Sequence, residues 1–247
     1  MLAIIGGSGL YGLGGDFSTD GQAPRDTPYG ETSADILLGR WRDSQLAFLP
    51  RHGEGHRVPP HRINYRANIW ALKQQGVSRI ISVNAVGGID AELAPKTLAV
   101  PDQIIDYSSG REQTFFDGGD EPARHIDFSW PYDPDLRAVL VAAGEQQGLR
   151  LVTSGTYGCS NGPRLETAAE IRRMRNDGCS MIGMTGMPEA ALARELELDY
   201  ACLALVVNWA AGIQQQEISM QEIIANMEQG MEEVISLLSV AARMAQR

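Results

Sequence analysis

An α/β fold is what the sequence predicts: one domain over residues 1–247, with a mixed central sheet flanked by helices. Three observations predict it. Short apolar runs alternate with helical patterns almost to the end of the chain, and several helices carry recognisable start and stop residues. No repeat, low-complexity tract or Pro/Gly/Ser linker divides the chain.

Leu2–Ile5 reads as a first, buried strand, followed by Ile36–Leu38, Gln45–Leu49 and Arg79–Val83. Leu98–Ile105, Leu151–Thr156, Met181–Met184 and Tyr200–Val207 complete the set. Their shortness and flanking glycines favour strands over helix fragments. Among the helices, Asn64–Gln75 stops at Gly76, and Asp133-Pro134 is an N-cap followed by proline at the first helical position. That second helix ends before Gly148; Glu166–Asn176 stops near Gly178, and Pro188 opens Glu189–Leu196. In the last helix Ser219 and Glu222 read as a capping box, while Ile223, Met227, Met231, Val234, Ile235, Leu238 and Ala242 mark one face. Gly110–Arg124 reads as an excursion loop within the domain.

With 43% hydrophobic and 21% charged residues, the chain falls outside the disordered and fibrous classes. A formal charge of −10 argues against a general partner among nucleic acids or membranes, whose surfaces are anionic. An anionic substrate must therefore meet a local cluster of donors. Cys159, Cys179 and Cys202 are odd in number and lack CxxC spacing, which fits a reducing cytoplasm better than disulfides or a zinc site. No basic leader precedes Leu2, and no run approaches the ~20 apolar residues of a spanning helix. The expectation is a soluble, cytoplasmic protein.

Gly7-Ser8-Gly9-Leu10-Tyr11-Gly12 follows the first strand and formally matches the dinucleotide-binding fingerprint. That fingerprint needs a helix opening at the loop, and Gly14 and Gly15 make one unfavourable there. The expected second strand ending in an acidic residue is also missing. A loop whose backbone N–H groups and Ser8 hydroxyl hold one anion fits better, and a plain tight turn is the simpler alternative.

Other donors sit at predicted strand ends. Arg51 and His52 follow Gln45–Leu49, where Arg51 offers a planar fork matched to phosphate and His52 a second donor. Taken alone, this segment is equally readable as a solvated basic loop. Asn84-Ala85-Val86-Gly87-Gly88 adds backbone N–H groups, and Thr185 brings a hydroxyl before a helix. Binding residues of open α/β sheets cluster at such carboxyl ends.

Together Ile4-Ile5-Gly6-Gly7-Ser8-Gly9, Arg51-His52-Gly53 with His56, Asn64–Leu72, Gly162-Pro163-Arg164 and Met184-Thr185 with Pro188-Glu189 resemble the trimeric purine nucleoside phosphorylase and methylthioadenosine phosphorylase family. The motifs run in order through nearly the whole chain. The resemblance implies a phosphorylase fold, a homotrimer, pentosyl transfer, no metal and no organic cofactor. By matched position it places Ser8, Arg51, His52, Ala85 and Thr185 on phosphate, Asn84 beside them, and Met184 against the ribose. Leu165, next to the base residue Glu166, is also assigned to the substrate site.

At the base the chain departs from the methylthioadenosine branch. That branch has aspartates where Asn208 and Ala210 stand and a serine where Glu166 stands. A carboxylate that accepts from N1–H, beside an amide that donates to O6 or N7, matches a 6-oxopurine. Adenine's N1 lone pair would instead face a carboxylate, and an unpaired buried polar group costs about 1–3 kcal/mol. Glu166 and Asn208 are thus the expected catalytic, base-holding pair. By matched position Met220 stands at the ribose 5′ end, where with Ile223 and Ile224 it would make an apolar pocket suited to a thioether, closed, as the resemblance suggests, by His56 and by His125 of a neighbouring subunit. Three ordinary core side chains are the plainer reading of those apolar residues.

The combination points to phosphorolysis of 5′-methylthioinosine to hypoxanthine and 5-methylthioribose 1-phosphate. An inosine/guanosine phosphorylase and a methylthioadenosine phosphorylase with unusual base contacts are the near alternatives. A dinucleotide-dependent oxidoreductase, a non-catalytic nucleoside-binding protein and a nucleoside hydrolase are the distant ones; for the last, no aspartate cluster suggests a calcium site.

Overall fold

The computed structural model describes residues 1–10, 13, 16–118 and 122–245. These form, in order, β1 (Leu2–Gly6), β2 (Phe17–Ala23), β3 (Asp26–Thr27), β4 (Gly30–Glu31), β5 (Ile36–Trp41), β6 (Ser44–Pro50), α1 (Tyr65–Gln74) and β7 (Arg79–Gly88). There follow β8 (Leu98–Ala99), β9 (Gln103–Asp106), α2 (Pro134–Gln146), β10 (Leu151–Val152), β11 (Thr156–Cys159), α3 (Ala168–Asn176), β12 (Cys179–Gly183), α4 (Gly186–Glu195), β13 (Asp199–Trp209) and α5 (Met220–Met244).

Strand β1 is buried at every position and pairs in parallel with both β6 and β7, the place for an apolar run without polar alternation. The main sheet runs β10-β8-β13-β7-β1-β6-β5-β2, with β12 pairing to β7 and β11, and β11 to β9. It is mixed: β13 lies parallel to β7, whereas β12 lies antiparallel to it. One face of the sheet, through Ile4, Leu203 and Leu205, packs on Leu140 of α2 and Val234 and Leu238 of α5. The opposite face, through Ile5, Cys202 and Ala204, packs on Ile69 and Leu72 of α1 and Ala190 and Ala193 of α4. Each such fully buried aliphatic side chain is worth about 1.5–3 kcal/mol.

The helix ends follow from their capping residues. Asn64 accepts from the Ala67 N–H and Asp133 from the Leu136 N–H, with Pro134 at the first helical position. Ser219 accepts from the Glu222 N–H at α5. The full reciprocal capping box lies instead at Thr167 and Glu170, so α3 starts at Ala168 and leaves Glu166 outside the helix. Met187 interrupts the start of α4 with φ −118° and ψ 142°, and continuous helix begins at Pro188.

Several strands differ from expectation. Leu98–Ile105 is two strands, β8 and β9, because Pro101 lacks an N–H for the ladder. Leu151–Thr156 likewise divides into β10 and β11. Strand β2, FSTDGQA, gave no apolar alternation; it is a largely exposed edge strand with a register shift between Thr19 and Gly21. Of the glycine loop, Tyr11, Gly12, Gly14 and Gly15 lie outside the described residues.

Strand β7 runs on to Gly88, so the segment Asn84–Gly88, expected to follow the strand Arg79–Val83, is part of it. Strand β13 pairs with it along its whole length and holds it extended. Its other edge is discontinuous: β1 covers Arg79–Ser82 and β12 covers Gly87 and Gly88. Since β1 runs parallel to β7 and β12 antiparallel, their carboxyl ends point at each other across the uncovered stretch Val83–Val86.

Candidate active site

Over that uncovered edge lies a cavity of about 520 Å³, in the range that holds small ligands. Ser8 arrives from the end of β1, Arg51 and His52 from β6, Asn84 and Ala85 from β7, and Met184 and Thr185 from β12. Glu166 and Leu165 enter from the turn before α3, Asn208 and Ala210 from the end of β13, and Met220 and Ile223 from the first turn of α5. His56 completes the expected set on the wall. Two expected residues stand apart. Ile224 is 46% exposed on α5, and His125 is exposed between β9 and α2; neither lines the cavity of its own chain.

The floor is a buried polar chain. Arg51 is fully buried and forms a bidentate pair with Glu189, Nε to Oε2 at 3.0 Å and Nη2 to Oε1 at 2.9 Å. Tyr200 donates its hydroxyl to the same Oε1 at 2.8 Å. Nη1 donates to Val83 O at 2.8 Å and Nη2 to Ser82 Oγ at 2.7 Å. The fork expected at phosphate makes a two-point pair with Glu189, since a buried guanidinium requires a counter-charge, and the residue still lines the cavity. Glu189 and its coulombic pull raise the Arg51 pKa despite burial, so the charge persists beneath the cavity. Gly7 makes room for it, since a Cβ there would meet Val83 O at 2.5 Å and Arg51 Nη1 at 2.9 Å.

From Ser82 the chain continues upward. Its hydroxyl donates to Asn84 Oδ1 at 2.5 Å, and Asn84 Nδ2 donates to Thr185 Oγ1 at 2.9 Å and to the Tyr157 hydroxyl at 3.2 Å. Because Thr185 Oγ1 accepts here, its own O–H is left to donate. Asn84 orients this donor. Val83 O points to the open edge, where it meets Arg51, and the two-residue period puts the Ala85 amide on that edge too. Gly9 turns the loop with φ +81°, and the Leu10 N–H closes it on Gly7 O at 3.2 Å, holding Ser8 beside β7.

His52 differs from its expected role as a donor. Burial first, and the Arg51 charge second, lower its pKa to about 3, so the ring is neutral near pH 7. Its Nδ1 lies 2.9 Å from Val58 O, a carbonyl that can only accept, so Nδ1 carries the proton and Nε2 is a bare acceptor. The ring stacks on His56 with centroids 4.1 Å apart.

On the cavity wall Glu166 Oε1 accepts from Ser160 Oγ at 2.5 Å. Asn208 follows a bulge in β13, where the register against β7 shifts between Val206 and Asn208. Bulges commonly re-aim a side chain in this way. Asn208 Nδ2 donates to Trp209 O at 2.7 Å, which engages one of its two N–H groups. Met220 is 60% exposed, so the cavity is open beside it in the single chain. Among the described residues, no group of three or more His, Cys, Asp or Glu side chains could hold a metal ion. No helix among them is long and apolar enough to cross a membrane.

The sequence profile of the phosphorylase superfamily matches residues 1–243. The chain belongs to the phosphorylase superfamily. This phosphorylase is 50% identical over 243 residues to a protein of Xanthomonas campestris pv. campestris named a probable S-methyl-5'-thioinosine phosphorylase, covering 98% of this chain and 97% of that one. It is 45% identical over 247 residues to the 6-oxopurine nucleoside phosphorylase of Pyrococcus furiosus, covering 97% and 91%. Its fold matches methylthioadenosine phosphorylase from Schistosoma mansoni in complex with tubercidin, with a TM-score of 0.91, 29% identity and coverage of 99% and 91%.

Glu189 entered the sequence reading only as part of a motif, and Tyr157, Ser160 and Arg111 were not singled out. Arg111 donates to the carbonyls of Ser160 and Asn161 at 3.2 and 3.0 Å and to Met187 O, pinning the turn that carries Glu166. Only the chain reversal that brings these segments together reveals such partners. Glu189 alone carried a hint, as a carboxylate just inside an otherwise apolar helix start.

Proposed function

We propose that this phosphorylase catalyses the reversible phosphorolysis of S-methyl-5'-thioinosine, giving hypoxanthine and 5-methylthioribose 1-phosphate. One observation carries the base assignment: Glu166 and Asn208 share a cavity with the Ser8, Ala85 and Thr185 donors, and no carboxylate stands at position 208 or 210. Glu166 accepts from N1–H, and Asn208 donates to O6 or N7. The identity to a relative bearing the methylthioinosine name supports the same substrate.

Hydrogen phosphate rests on the hydroxyls of Ser8 and Thr185 and the Ala85 N–H, above the buried Arg51 charge. The bare Nε2 of His52 accepts a hydrogen bond from the P–O–H group. A phosphate oxygen attacks C1′ from the face opposite the base while the C1′–N9 bond breaks toward the purine. The anion stabilises oxocarbenium character on the ribose, and Asn208 stabilises charge gathering on the ring. The proton brought by hydrogen phosphate ends on the departing hypoxanthine, so charge and atoms balance. Much of the acceleration comes from holding two substrates in line. Met184 packs on the ribose, with Leu165 near the base and Met220 and Ile223 around the methylthio group.

The proposal calls for no metal and no organic cofactor, inorganic phosphate being the second substrate. It extends to a cytoplasmic homotrimer in which His125 of a neighbouring copy closes the open 5′ end; the exposure of Met220 and Ile224 supports a cover of that kind. That same openness favours a second reading, an inosine/guanosine phosphorylase tolerant at the 5′ position.

One panel tests the proposal. Methylthioinosine, methylthioadenosine, inosine and guanosine are offered with and without phosphate, and release of free base is followed. Fastest phosphate-dependent release from methylthioinosine is expected. Release that ignores phosphate would sink the phosphorylase reading, preference for methylthioadenosine the base reading, and preference for inosine the thioether reading.

A further inference from the structure

Ser160 lies behind Glu166 rather than in the nucleoside cavity. It lines a neighbouring hollow of about 600 Å³, shared with Asp106 and Tyr107, for which Glu166 is the partition. Its backbone is fixed on both sides, the N–H donating to Gly183 O at 2.9 Å and the carbonyl accepting from Arg111 Nη2 at 3.2 Å. Its hydroxyl donates to Glu166 Oε1 at 2.5 Å, and the residue is 9% exposed. The bond therefore draws Oε1 toward the rear hollow and leaves Oε2 as the oxygen for the nucleoside side.

The two oxopurines differ on the edge that Glu166 meets. Hypoxanthine presents a single N–H there, N1–H beside C2–H. Guanine presents N1–H and the 2-amino group side by side, a pair matched to both oxygens of a carboxylate. A carboxylate with one oxygen held from behind keeps its contact with hypoxanthine but meets guanine with only half of the facing pair. We infer that Ser160 is a positioning residue that turns Glu166 into a single-contact reader and thereby selects hypoxanthine nucleosides over guanine nucleosides. This inference rests on the base assignment given above to Glu166.

The test measures kcat/KM for the 5′-methylthio derivatives of inosine, guanosine and adenosine with saturating phosphate. The proteins are the wild type, Ser160→Ala, Ser160→Thr, which keeps the hydroxyl, and Ser160→Cys, whose thiol is a weak donor. The wild type should prefer the hypoxanthine nucleoside, and Ser160→Ala should raise the guanine-to-hypoxanthine ratio on the order of tenfold. Ser160→Thr should keep the wild-type ratio, and Ser160→Cys should move it in the direction of alanine, which also serves if the alanine variant does not fold. A hypoxanthine-preferring wild type whose ratio is unmoved by Ala or Cys, or moved equally by Thr, overturns the role of Ser160 alone. A wild type that favours guanine overturns it too, with the oxopurine reading intact. A wild type that favours adenine removes the base assignment itself, and this inference with it.

Discussion

Exchanging Asn208 for aspartate removes both amide N–H groups while keeping the size and shape of the side chain. One of those N–H groups bonds to Trp209 O at 2.7 Å, which leaves the other for the purine. For the hypoxanthine nucleoside, the lost bond is one made to a ring gathering negative charge, and bonds to charged groups are worth about 1.5–3 kcal/mol. At about 1.4 kcal/mol per decade, kcat/KM for methylthioinosine should fall roughly 10- to 150-fold. Adenine's 6-amino group gains an acceptor from the same exchange, so the adenine-to-hypoxanthine ratio should rise by more than the fall in the methylthioinosine rate alone implies. Losing the Trp209 contact should cost about 1 kcal/mol, a Tm drop of roughly 2–4 °C in a chain of this size. Initial rates with both nucleosides at fixed phosphate, alongside thermal unfolding, give every quantity needed. A folded Asn208→Asp protein whose ratio equals that of the wild type would refute the base assignment.

Three further outcomes follow from the site. Glu189→Gln leaves the buried Arg51 charge without its counter-ion, so stability should fall by about 3 kcal/mol, roughly 6–12 °C in Tm at pH 7; a drop under about 2 °C would show the pair to be dispensable. His52 is held to a pKa of about 3 in the folded chain against 6.5 unfolded. Between those values the unfolded state binds the extra proton, so stability falls as pH drops from 6.5, by up to about 1.4 kcal/mol per pH unit. His52→Gln should flatten that slope in urea titrations without phosphate, and an unchanged slope would assign the acid sensitivity elsewhere. Met220→Gln puts an amide where a thioether pocket is proposed, and should raise inosine use relative to methylthioinosine roughly two- to tenfold. No movement in that ratio would remove Met220 from the 5′ site.

Much of the site was legible because the donors sit at strand ends, and strand ends are readable from apolar runs and glycines. Ser8, His52, Thr185 and Asn208 come together from four such places, and Glu166 joins them from the turn before α3. What escaped was direction. Whether Arg51 faces ligand or protein depends on Glu189, 138 residues further along the chain, and nothing local to either residue shows the other. His52 was read as a donor because its tautomer is set by the carbonyl of Val58, a backbone group that every residue possesses. Ser160 carries no distinctive pattern, and its partner is defined by the turn at Asn161 rather than by helical or strand spacing. The polar edge strand β2 could not be read at all, since it lacks the buried face that apolar alternation reports.

The bare stretch of β7, with two strand tips aimed at each other above it, gives the inorganic substrate a mechanical part as well as a chemical one. Under the proposed function, an anion held by Ser8 on one tip and Thr185 on the other would act as a clasp between segments that β7 and the buried Arg51 also join. Occupancy then weighs against local opening of that corner, in proportion to how tightly the anion is held. On that proposal the phosphate-free protein would be the looser of the two at the cavity mouth.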